Sequence, residues 1–198
     1  MGYLRITGGR MRGRKIVVPA GLTVRPMQDF LREALFSILG DRVAGAVVAD
    51  CFAGTGSIGL EALSRGAAKC FFLEQDRRTT SILRGNIARC GVESLAVILR
   101  GDWFHGRVQR QLKEKIHIAF IDPPFAVDHQ RVVQDLVFYE GVFREAILVY
   151  RYPWKIDPFS QASFLDVFDR RRYGENGLAF FSFQKTVIDQ DRDLENIL

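Results

Sequence analysis

Apolar segments alternate with segments of helical periodicity between residues 46 and 150, and this alternation restricts the possible folds more than any other feature. The predicted strands are Ala46–Cys51, Lys69–Leu73, Leu95–Leu99, Ile116–Ile121 and Glu145–Tyr150. The helices predicted to connect them are Ile58–Arg65, Arg77–Cys90, Phe104–Lys113 and Gln130–Phe138. Strands separated by helices of roughly 10–15 residues form right-handed βαβ units. The pattern therefore predicts an α/β fold built on a mainly parallel sheet.

The two ends of the chain follow different patterns. Near the end, strands at Ala162–Phe168 and Leu178–Lys185 flank a turn at residues 173–177 without an intervening helix, which predicts an antiparallel pair. Near the start, strands Tyr3–Ile6 and Lys15–Val18 flank a turn rich in glycine and arginine, and a helix is predicted over Asp29–Gly40. The sequence therefore predicts a β-hairpin ahead of the α/β domain.

Charge is unevenly distributed along the chain. Residues 1–20 contain five basic side chains and no acidic one, whereas residues 189–198 contain four acidic side chains and one basic one. Such asymmetry is typical of interaction segments, and the net charge of +5 permits a nucleic-acid partner without demonstrating one. We expect a basic hairpin at residues 1–20, the main domain at residues 21–188 and an acidic tail at residues 189–198.

Composition excludes several classes of protein. With 198 residues and 47% hydrophobic side chains, the chain can bury its own core, and we expect a monomer. No segment approaches the roughly 20 apolar residues that span a bilayer, and the first residues lack the apolar core of a signal peptide. The three cysteines Cys51, Cys70 and Cys90 are too far apart for a zinc site or a disulfide framework. We therefore expect a cytoplasmic protein with reduced cysteines and no metal site.

A glycine-rich turn, Asp50–Gly59, lies between the first long strand and its helix. Gly54, Gly56 and Gly59 allow a sharp turn and close approach of a ligand to the backbone, as in dinucleotide sites. However, Asp50 stands where a diphosphate would lie, and two anions there repel each other. A cationic ligand without phosphate suits this position better, and S-adenosylmethionine carries an ammonium and a sulfonium. An NAD-dependent enzyme remains the alternative.

Two further carboxylates follow the next two predicted strands. Glu74 could accept both ribose hydroxyls of S-adenosylmethionine, and Asp102 could accept from its adenine amino group. Taken singly, Asp102 is typical of a helix N-cap, and Glu74 and Asp76 of solvated loop acids. Their joint position favours a site, because open α/β sheets bind ligands at the carboxyl ends of their strands.

The run Asp122-Pro123-Pro124-Phe125 follows the fourth predicted strand of the sheet. Proline removes backbone donors, so both proline carbonyls are expected to stay available beside the Asp122 carboxylate. Two acceptors side by side suit an NH₂ group, whose lone pair they would direct toward a methyl donor. Asp122 could also accept the lost proton, and Phe125 could stack on an extruded base. The alternative is a turn with an incidental acid.

Several motifs together resemble the bacterial small-subunit ribosomal RNA guanine-N2 methyltransferases, a family of class I S-adenosylmethionine-dependent methyltransferases. The resemblance covers nearly the whole chain. It rests on Arg5-Ile6-x-Gly8-Gly9, Arg12–Lys15, Arg25-Pro26 with Asp29 and Arg32–Phe36, Asp50–Gly59, Leu60–Ala67, Glu74-x-Asp76, Asp122–Phe125 and Tyr173-Gly174. The sequence departs from the family pattern at Met27 and Gln28, where small hydroxylated residues are usual, and at Phe30, where a basic residue is usual.

The resemblance implies a Rossmann-like fold with a seven-stranded sheet, one strand of which is antiparallel, and a basic hairpin that contacts RNA. It implies that residues 25–36 help to cover the cofactor. The implied cofactor-binding residues are Asp50, Phe52, Gly54, Thr55, Gly56, Glu74, Asp76 and Asp102. The implied catalytic residues are Asp122, Pro123 and Phe125. The residues expected to contact RNA are Arg5, Arg10, Arg12, Arg14 and Lys15.

The function that follows is methyl transfer to the exocyclic N2 amine of a guanine in small-subunit rRNA. The substrate would be either the naked RNA or a ribosomal particle. Two alternatives stay open. One is an adenine-N6 methyltransferase acting on DNA or RNA, because adenine also presents an NH₂ group to Asp122. The other is an RNA-binding scaffold without catalysis, which the intact Asp122–Phe125 run disfavours.

Overall fold

A computed structural model describes residues 2–19, 26–105 and 108–184. The strands are β1 (Gly2–Arg5), β2 (Lys15–Val18), β3 (Val47–Asp50), β4 (Lys69–Glu74), β5 (Ala96–Arg100), β6 (Ile118–Ile121), β7 (Ile147–Pro153), β8 (Leu165–Tyr173) and β9 (Asn176–Phe183). The α-helices are α1 (Pro26–Leu39), α2 (Ser57–Ser64), α3 (Arg77–Cys90), α4 (His129–Gln134) and α5 (Glu140–Phe143). Short 3₁₀ turns lie at Gly40–Val43, Glu93–Leu95, Trp103–His105, Gln109–Gln111 and Asp135–Tyr139. The acidic tail, residues 189–198, lies outside the described ranges.

Seven strands form one sheet in the order β5-β4-β3-β6-β7-β9-β8. The pairings among β5, β4, β3, β6 and β7 are parallel, and β9 runs antiparallel to both of its neighbours, β7 and β8. The predictions of an α/β fold, a seven-stranded sheet with one antiparallel strand and an N-terminal hairpin are therefore confirmed. From β3 the chain adds β4 and β5 on one side and then returns to add β6 and β7 on the other side. Ligands of open α/β sheets bind where the strand order reverses in this way, so we expect the ligand crevice at the carboxyl ends of β3 and β6.

Side chains of alternating direction along each strand divide the core into two clusters, one on each face of the sheet. On one face, Phe72, Phe120 and Val149 pack in a cluster that also holds buried residues of α1, α2, α3 and the hairpin. On the other, Tyr150 and Phe181 pack in a cluster with residues of α4, α5 and the 3₁₀ turns. The strands are thus covered on both faces, as a parallel sheet requires.

The hairpin is attached to α2 through one buried carboxylate. Glu61 is fully buried, and its oxygens accept hydrogen bonds from the backbone N–H groups of Thr7 and Gly8 at 2.8 and 2.7 Å. Arg65 Nε donates to Glu61 Oε1 at 2.9 Å, and Arg32 Nε lies 3.3 Å from Oε2. These contacts fix the position of the hairpin relative to α1 and α2.

The predicted helix over Phe104–Lys113 is wrong. The described part of this segment holds only the 3₁₀ turns Trp103–His105 and Gln109–Gln111. Its buried side chains, Trp103, Val108 and Leu112, are spaced by five and four residues, which does not keep them on one face of a helix. Gly106 within the segment further disfavours a helix.

Two other predicted elements differ in extent. The helix predicted over Gln130–Phe138 divides into α4, a 3₁₀ turn and α5. The strand predicted at Ala162–Phe168 begins later and runs to Tyr173, because β8 pairs with β9 up to the contact between Tyr173 and Asn176. The tight turn that joins β8 to β9 therefore sets the register of this pair.

Candidate active site

Asp50 ends β3 and is held by the backbone of the turn that follows it. Its Oδ2 accepts a hydrogen bond from the Gly59 N–H at 2.9 Å. Gly56, with φ of 88°, precedes α2 in the left-handed region, which glycine adopts without strain. A Cβ atom at Gly59 would lie 2.3 Å from the Phe72 ring and 2.7 Å from the Cys70 sulfur. Glycine at this position thus lets α2 approach β4 closely enough to bind Asp50.

The electrostatic environment of Asp50 favours a cationic ligand. The residue is 1% exposed, and its Oδ1 atom has no hydrogen-bond partner in the described ranges. Burial, with smaller contributions from the charges of Asp122 and Glu74, raises the pKa of Asp50 to about 7. A cation at Oδ1 would supply the missing partner and stabilise the ionised form, whereas a diphosphate would be repelled.

Glu74 ends β4 next to Asp50, and both of its carboxylate oxygens accept backbone hydrogen bonds. Oε2 accepts from the Gly54 N–H at 2.9 Å and Oε1 from the Asp76 N–H at 2.8 Å. Each carboxylate oxygen offers more than one acceptor direction, so Glu74 can still bind ligand hydroxyls. The structure therefore places Glu74 beside Asp50 at the end of β4, and its contact with a ribose stays a prediction.

Asp76 caps the N-terminus of α3. Its Oδ1 accepts a hydrogen bond from the Thr79 N–H at 2.7 Å. This bond and further hydrogen bonds within the first turn lower the pKa of the exposed Asp76 carboxyl. The carboxylate thus stabilises the helix, and contact between Asp76 and a cofactor stays a prediction.

Asp102, Phe52 and Thr55 complete the predicted cofactor-binding set. Asp102 follows β5, and its Oδ1 accepts from the Phe104 N–H at 3.1 Å, which caps a 3₁₀ turn. The rings of Phe52 and Trp103 lie 5.4 Å apart. The buried Thr55 binds through its carbonyl to the Asn86 side chain at 2.9 Å. Since β3, β4 and β5 are parallel neighbours, Asp50, Glu74 and Asp102 follow the same edge of the sheet.

Asp122 follows β6, directly beside β3, and begins the turn that contains Phe125. Phe125 is 43% exposed, so a base could contact its ring. The Pro124 carbonyl accepts from the Val127 N–H at 3.1 Å, which corrects the expectation that both proline carbonyls stay available. Among the described residues, the Pro123 carbonyl has no hydrogen-bond partner. Contact of the Pro123 carbonyl and the Asp122 carboxylate with a substrate stays a prediction.

Arg151 on β7 is a site residue that the sequence analysis missed. Its Nε donates to Asp122 Oδ1, and its NH1 donates to Asn176 Oδ1 at 3.1 Å. The guanidinium carbon lies 4.6 Å from the centre of the Phe125 ring, a cation–π contact that covers part of this ring. An arginine at the end of an otherwise apolar strand was the available signal.

A cavity of about 120 Å³ opens beside Asp122 and Arg151. Its walls come from the hairpin, α1, the start of α2 and the ends of β6 and β7, and most of them are apolar. Arg32 of α1 also lines the cavity, with a side chain that is 4% exposed. Sequence reasoning did not find this cavity, because it forms only where these distant segments meet.

The five basic residues expected to contact RNA are exposed in the structure: Arg5, Arg10, Arg12, Arg14 and Lys15. Arg14 NH1 donates to the Cys90 and Arg89 carbonyls at 2.7 and 3.3 Å, which caps the end of α3. Within the described ranges, the side chains of Arg10 and Arg12 make no hydrogen bond or ion pair. Arg10 and Arg12 are therefore the members of this set best placed to bind phosphates.

Phe30, which departs from the pattern of the resembling family, lies at the surface of α1. It is 55% exposed, and its ring meets the Tyr173 ring edge-on at 5.8 Å. This aromatic pair joins α1 to the end of β8. Nothing is described of the side chains of Met27 and Gln28.

Comparisons with known proteins place this geometry in context. The model of a family described as conserved hypothetical protein 95 matches residues 4–182. Ribosomal RNA small subunit methyltransferase D of Escherichia coli is 39% identical over 127 residues, which span 63% of the chain and 61% of that relative. The chain thus matches about three fifths of the length of this relative.

Two further relatives match over greater lengths. The Bacillus subtilis protein named "Putative rRNA methyltransferase YlbH" is 25% identical over 90% of the chain and 98% of that protein. The solved structure named "Putative methyltransferase yhhF from Escherichia coli" has a TM-score of 0.76 at 29% identity, and covers 93% of the chain and 100% of its own. The whole arrangement of the sheet and hairpin therefore has a counterpart among solved structures.

Within the described ranges, no helix is long and apolar enough to cross a membrane. The same residues contain no cluster of His, Cys, Asp and Glu side chains that could hold a metal ion. Cys51, Cys70 and Cys90 are all buried and free of disulfides.

Proposed function

The chain belongs to the methyltransferase family described as conserved hypothetical protein 95, and from this premise we propose that it transfers a methyl group from S-adenosylmethionine to the N2 amine of a guanine in small-subunit rRNA. One observation carries the proposal. Asp50, buried and short of one hydrogen-bond partner, and Asp122, beside an available proline carbonyl, end adjacent parallel strands at the crevice between β3 and β6. This crevice would bring a cationic methyl donor and an amine acceptor together.

The chain's own residues fit S-adenosylmethionine. Asp50 would bind the ammonium at its unpartnered Oδ1, Glu74 the ribose hydroxyls, and Asp102 the adenine amino group. Gly54 and Gly56, with φ of 54° and 88°, keep the turn free of side chains where the ligand would approach the backbone. When bound, S-adenosylmethionine supplies an electrophilic methyl group on its sulfonium.

Asp122 and Pro123 would orient the acceptor amine. An NH₂ group bound to the Asp122 carboxylate and the Pro123 carbonyl presents its lone pair away from both acceptors, and the two contacts favour a tetrahedral nitrogen. Catalysis of this kind depends mainly on position and electrostatics. Asp122 would also take up the proton that the methylated amine loses.

The hairpin would supply the sequence-independent part of RNA binding. Arg10 and Arg12 are exposed, and within the described ranges their side chains make no hydrogen bond or ion pair, so they could bind phosphates without breaking such contacts in the protein. Affinity for RNA is therefore expected to fall steeply with salt. A protein that acts on ribosomal RNA, as naked RNA or as a ribosomal particle, would work in the cytoplasm as a monomer.

The test is transfer of labelled methyl from S-adenosylmethionine to small-subunit rRNA that lacks its natural methylation. The RNA is offered both naked and as ribosomal particles, and the product is digested to nucleosides. Label is expected in N2-methylguanosine with the wild type and with Asp166→Asn, a surface control, but not with Asp122→Asn. Label in N6-methyladenosine would favour the adenine-specific alternative. Cofactor binding without transfer to any RNA would contradict the proposal.

A further inference from the structure

Asp122 and Arg151 present an acceptor and a donor side by side at one end of the cavity. The Nε–H of Arg151 binds Asp122 Oδ1, so Oδ2 remains for a substrate. Arg151 has five N–H donors, of which the bonds to Asp122 and Asn176 use two. Both side chains line the cavity, and each is about three quarters buried, with exposed fractions of 24% for Arg151 and 25% for Asp122.

We propose, on the basis of the proposed function, that the Asp122–Arg151 pair reads the pairing edge of the target base and makes the site selective for guanine over adenine. The pairing edge of guanine carries the N2 amine and N1–H as donors and the O6 keto oxygen as an acceptor. A carboxylate that accepts from the amine and from N1–H, with a guanidinium donor beside it, offers the complementary order of acceptors and donor. Arg151 would donate to O6 while Asp122 accepts from both the N2 amine and N1–H.

Adenine does not fit the same pair. In the pose that guanine adopts, the N6 amine of adenine could bind Asp122, but its N1 acceptor would face the carboxylate in place of a donor, and C2–H would face Arg151 in place of a keto oxygen. A partly buried guanidinium donor would then lose its water without gaining a partner, which costs more than the bond itself contributes. The pair therefore distinguishes two bases that both carry an NH₂ group, a distinction that the Asp122–Phe125 run alone does not make.

The surroundings hold Arg151 in the orientation that this reading requires. Asn176 accepts from NH1 at 3.1 Å, and the guanidinium also contacts the Phe125 ring at 4.6 Å. The two contacts and the bond to Asp122 restrict both the position and the plane of the guanidinium. Most of the other cavity walls are apolar, which suits a flat ring.

The test replaces the methylated guanine by 2-aminopurine in the RNA substrate, after the wild type has been used to locate that guanine. 2-Aminopurine keeps the acceptor amine but lacks the keto oxygen and the N1–H. We expect the wild-type kcat/KM to fall by about 10- to 100-fold, the usual range for hydrogen bonds to a charged group. For Arg151→Met, the ratio between the two substrates should shrink to within about threefold, mainly through loss of activity on guanine.

Arg84→Met, a change of an exposed arginine on α3, is the matched control and should keep the wild-type ratio. Equal wild-type activity on guanine and 2-aminopurine would overturn the inference and leave the proposed function intact. Transfer to neither substrate, with cofactor still bound, would instead contradict the proposed function, and the inference would fall with it. The wild-type comparison remains decisive even if Arg151→Met does not fold.

Discussion

The turns after β3 and β6 each present a carboxylate to the same crevice, but the two carboxylates are held in different ways. Asp50 binds the backbone N–H of Gly59, nine residues further along the chain in the first turn of α2. Asp122 binds the side chain of Arg151, 29 residues away on another strand, and Arg151 is held in turn by Asn176. One carboxylate thus depends on local backbone geometry, and the other depends on tertiary contacts between side chains.

The largest effect is expected from Asp122→Asn. An amide has one acceptor oxygen and no charge, so its oxygen cannot serve the amine while a second oxygen binds Arg151, and the ion pair with Arg151 is lost. We expect kcat to fall by about 10³-fold, or about 4 kcal/mol of transition-state stabilisation. Affinity for the cofactor, measured by calorimetry, should change little. A parallel loss of cofactor binding would show that the two turns do not act separately.

Gly59→Ala tests whether the backbone holds Asp50. The added Cβ would overlap the Phe72 ring and the Cys70 sulfur, so α2 must move away from β4. We expect the free energy of unfolding to fall by about 1–3 kcal/mol and cofactor affinity to weaken, although no polar side chain is altered.

Gly85→Ala is the control for this change, because a Cβ at Gly85 in α3 meets no atom within 4 Å. This variant should be neutral or slightly more stable than the wild type, since alanine favours a helix. Denaturant unfolding compares the two variants. Equal stability of both would contradict the close approach of α2 to β4.

A smaller effect is expected from pH. Because the pKa of Asp50 is raised to about 7, the carboxyl is largely protonated in the free protein below that pH and must ionise to bind a cation. Cofactor affinity should therefore rise by about tenfold between pH 6 and pH 8. Titration calorimetry at several pH values measures this change. The same titrations with Asp50→Asn show how much of the pH dependence comes from ionisation of the ligand itself. An affinity whose pH dependence survives in Asp50→Asn would exclude Asp50 as its cause.

The same shift predicts the pH dependence of stability in the free protein. The folded pKa lies above the ordinary value of 3.8, so the contribution of Asp50 to stability is complete below about pH 4 and is lost as pH rises through 7. Asp50→Asn should remove this part of the profile.

The smallest effect is expected from Asn176→Ala, which removes one hydrogen bond from Arg151. A single such bond contributes about 1 kcal/mol, so kcat/KM on RNA should fall by about fivefold. Cofactor affinity and the pKa of Asp50 should not change, because Asn176 contacts neither. Steady-state kinetics with the labelled-methyl assay gives the comparison, and an unchanged kcat/KM would show that Arg151 is held without Asn176.

Predictions from the sequence succeeded where neighbouring residues determine the structure. Asp50 and Glu74 were expected at the ends of adjacent strands and lie there, and the bond from Gly59 to Asp50 spans only nine residues. Prediction failed over Phe104–Lys113, where burial of Trp103 between Phe52 and Tyr139 accompanies 3₁₀ turns in place of a helix. Helical propensity is a weak preference, and tertiary packing overrides it.

The same division applies to the hairpin. Its basic composition was evident from the sequence, but composition did not distinguish Arg14, which caps α3, from Arg10 and Arg12, whose side chains make no hydrogen bond or ion pair in the described ranges. Nor did it show that Glu61, an acid within an apparently ordinary helix, holds the hairpin in place.

The sequence by itself determined the alternation of strands and helices, the glycine-rich turn and the positions of the carboxylates at the strand ends, because periodicity and backbone geometry are properties of adjacent residues. Only the tertiary structure decided that Arg151 binds Asp122 and that the hairpin and α1 enclose a cavity beside this pair. Such contacts depend on which distant side chains meet across neighbouring strands, and strand order is set by packing of the whole chain.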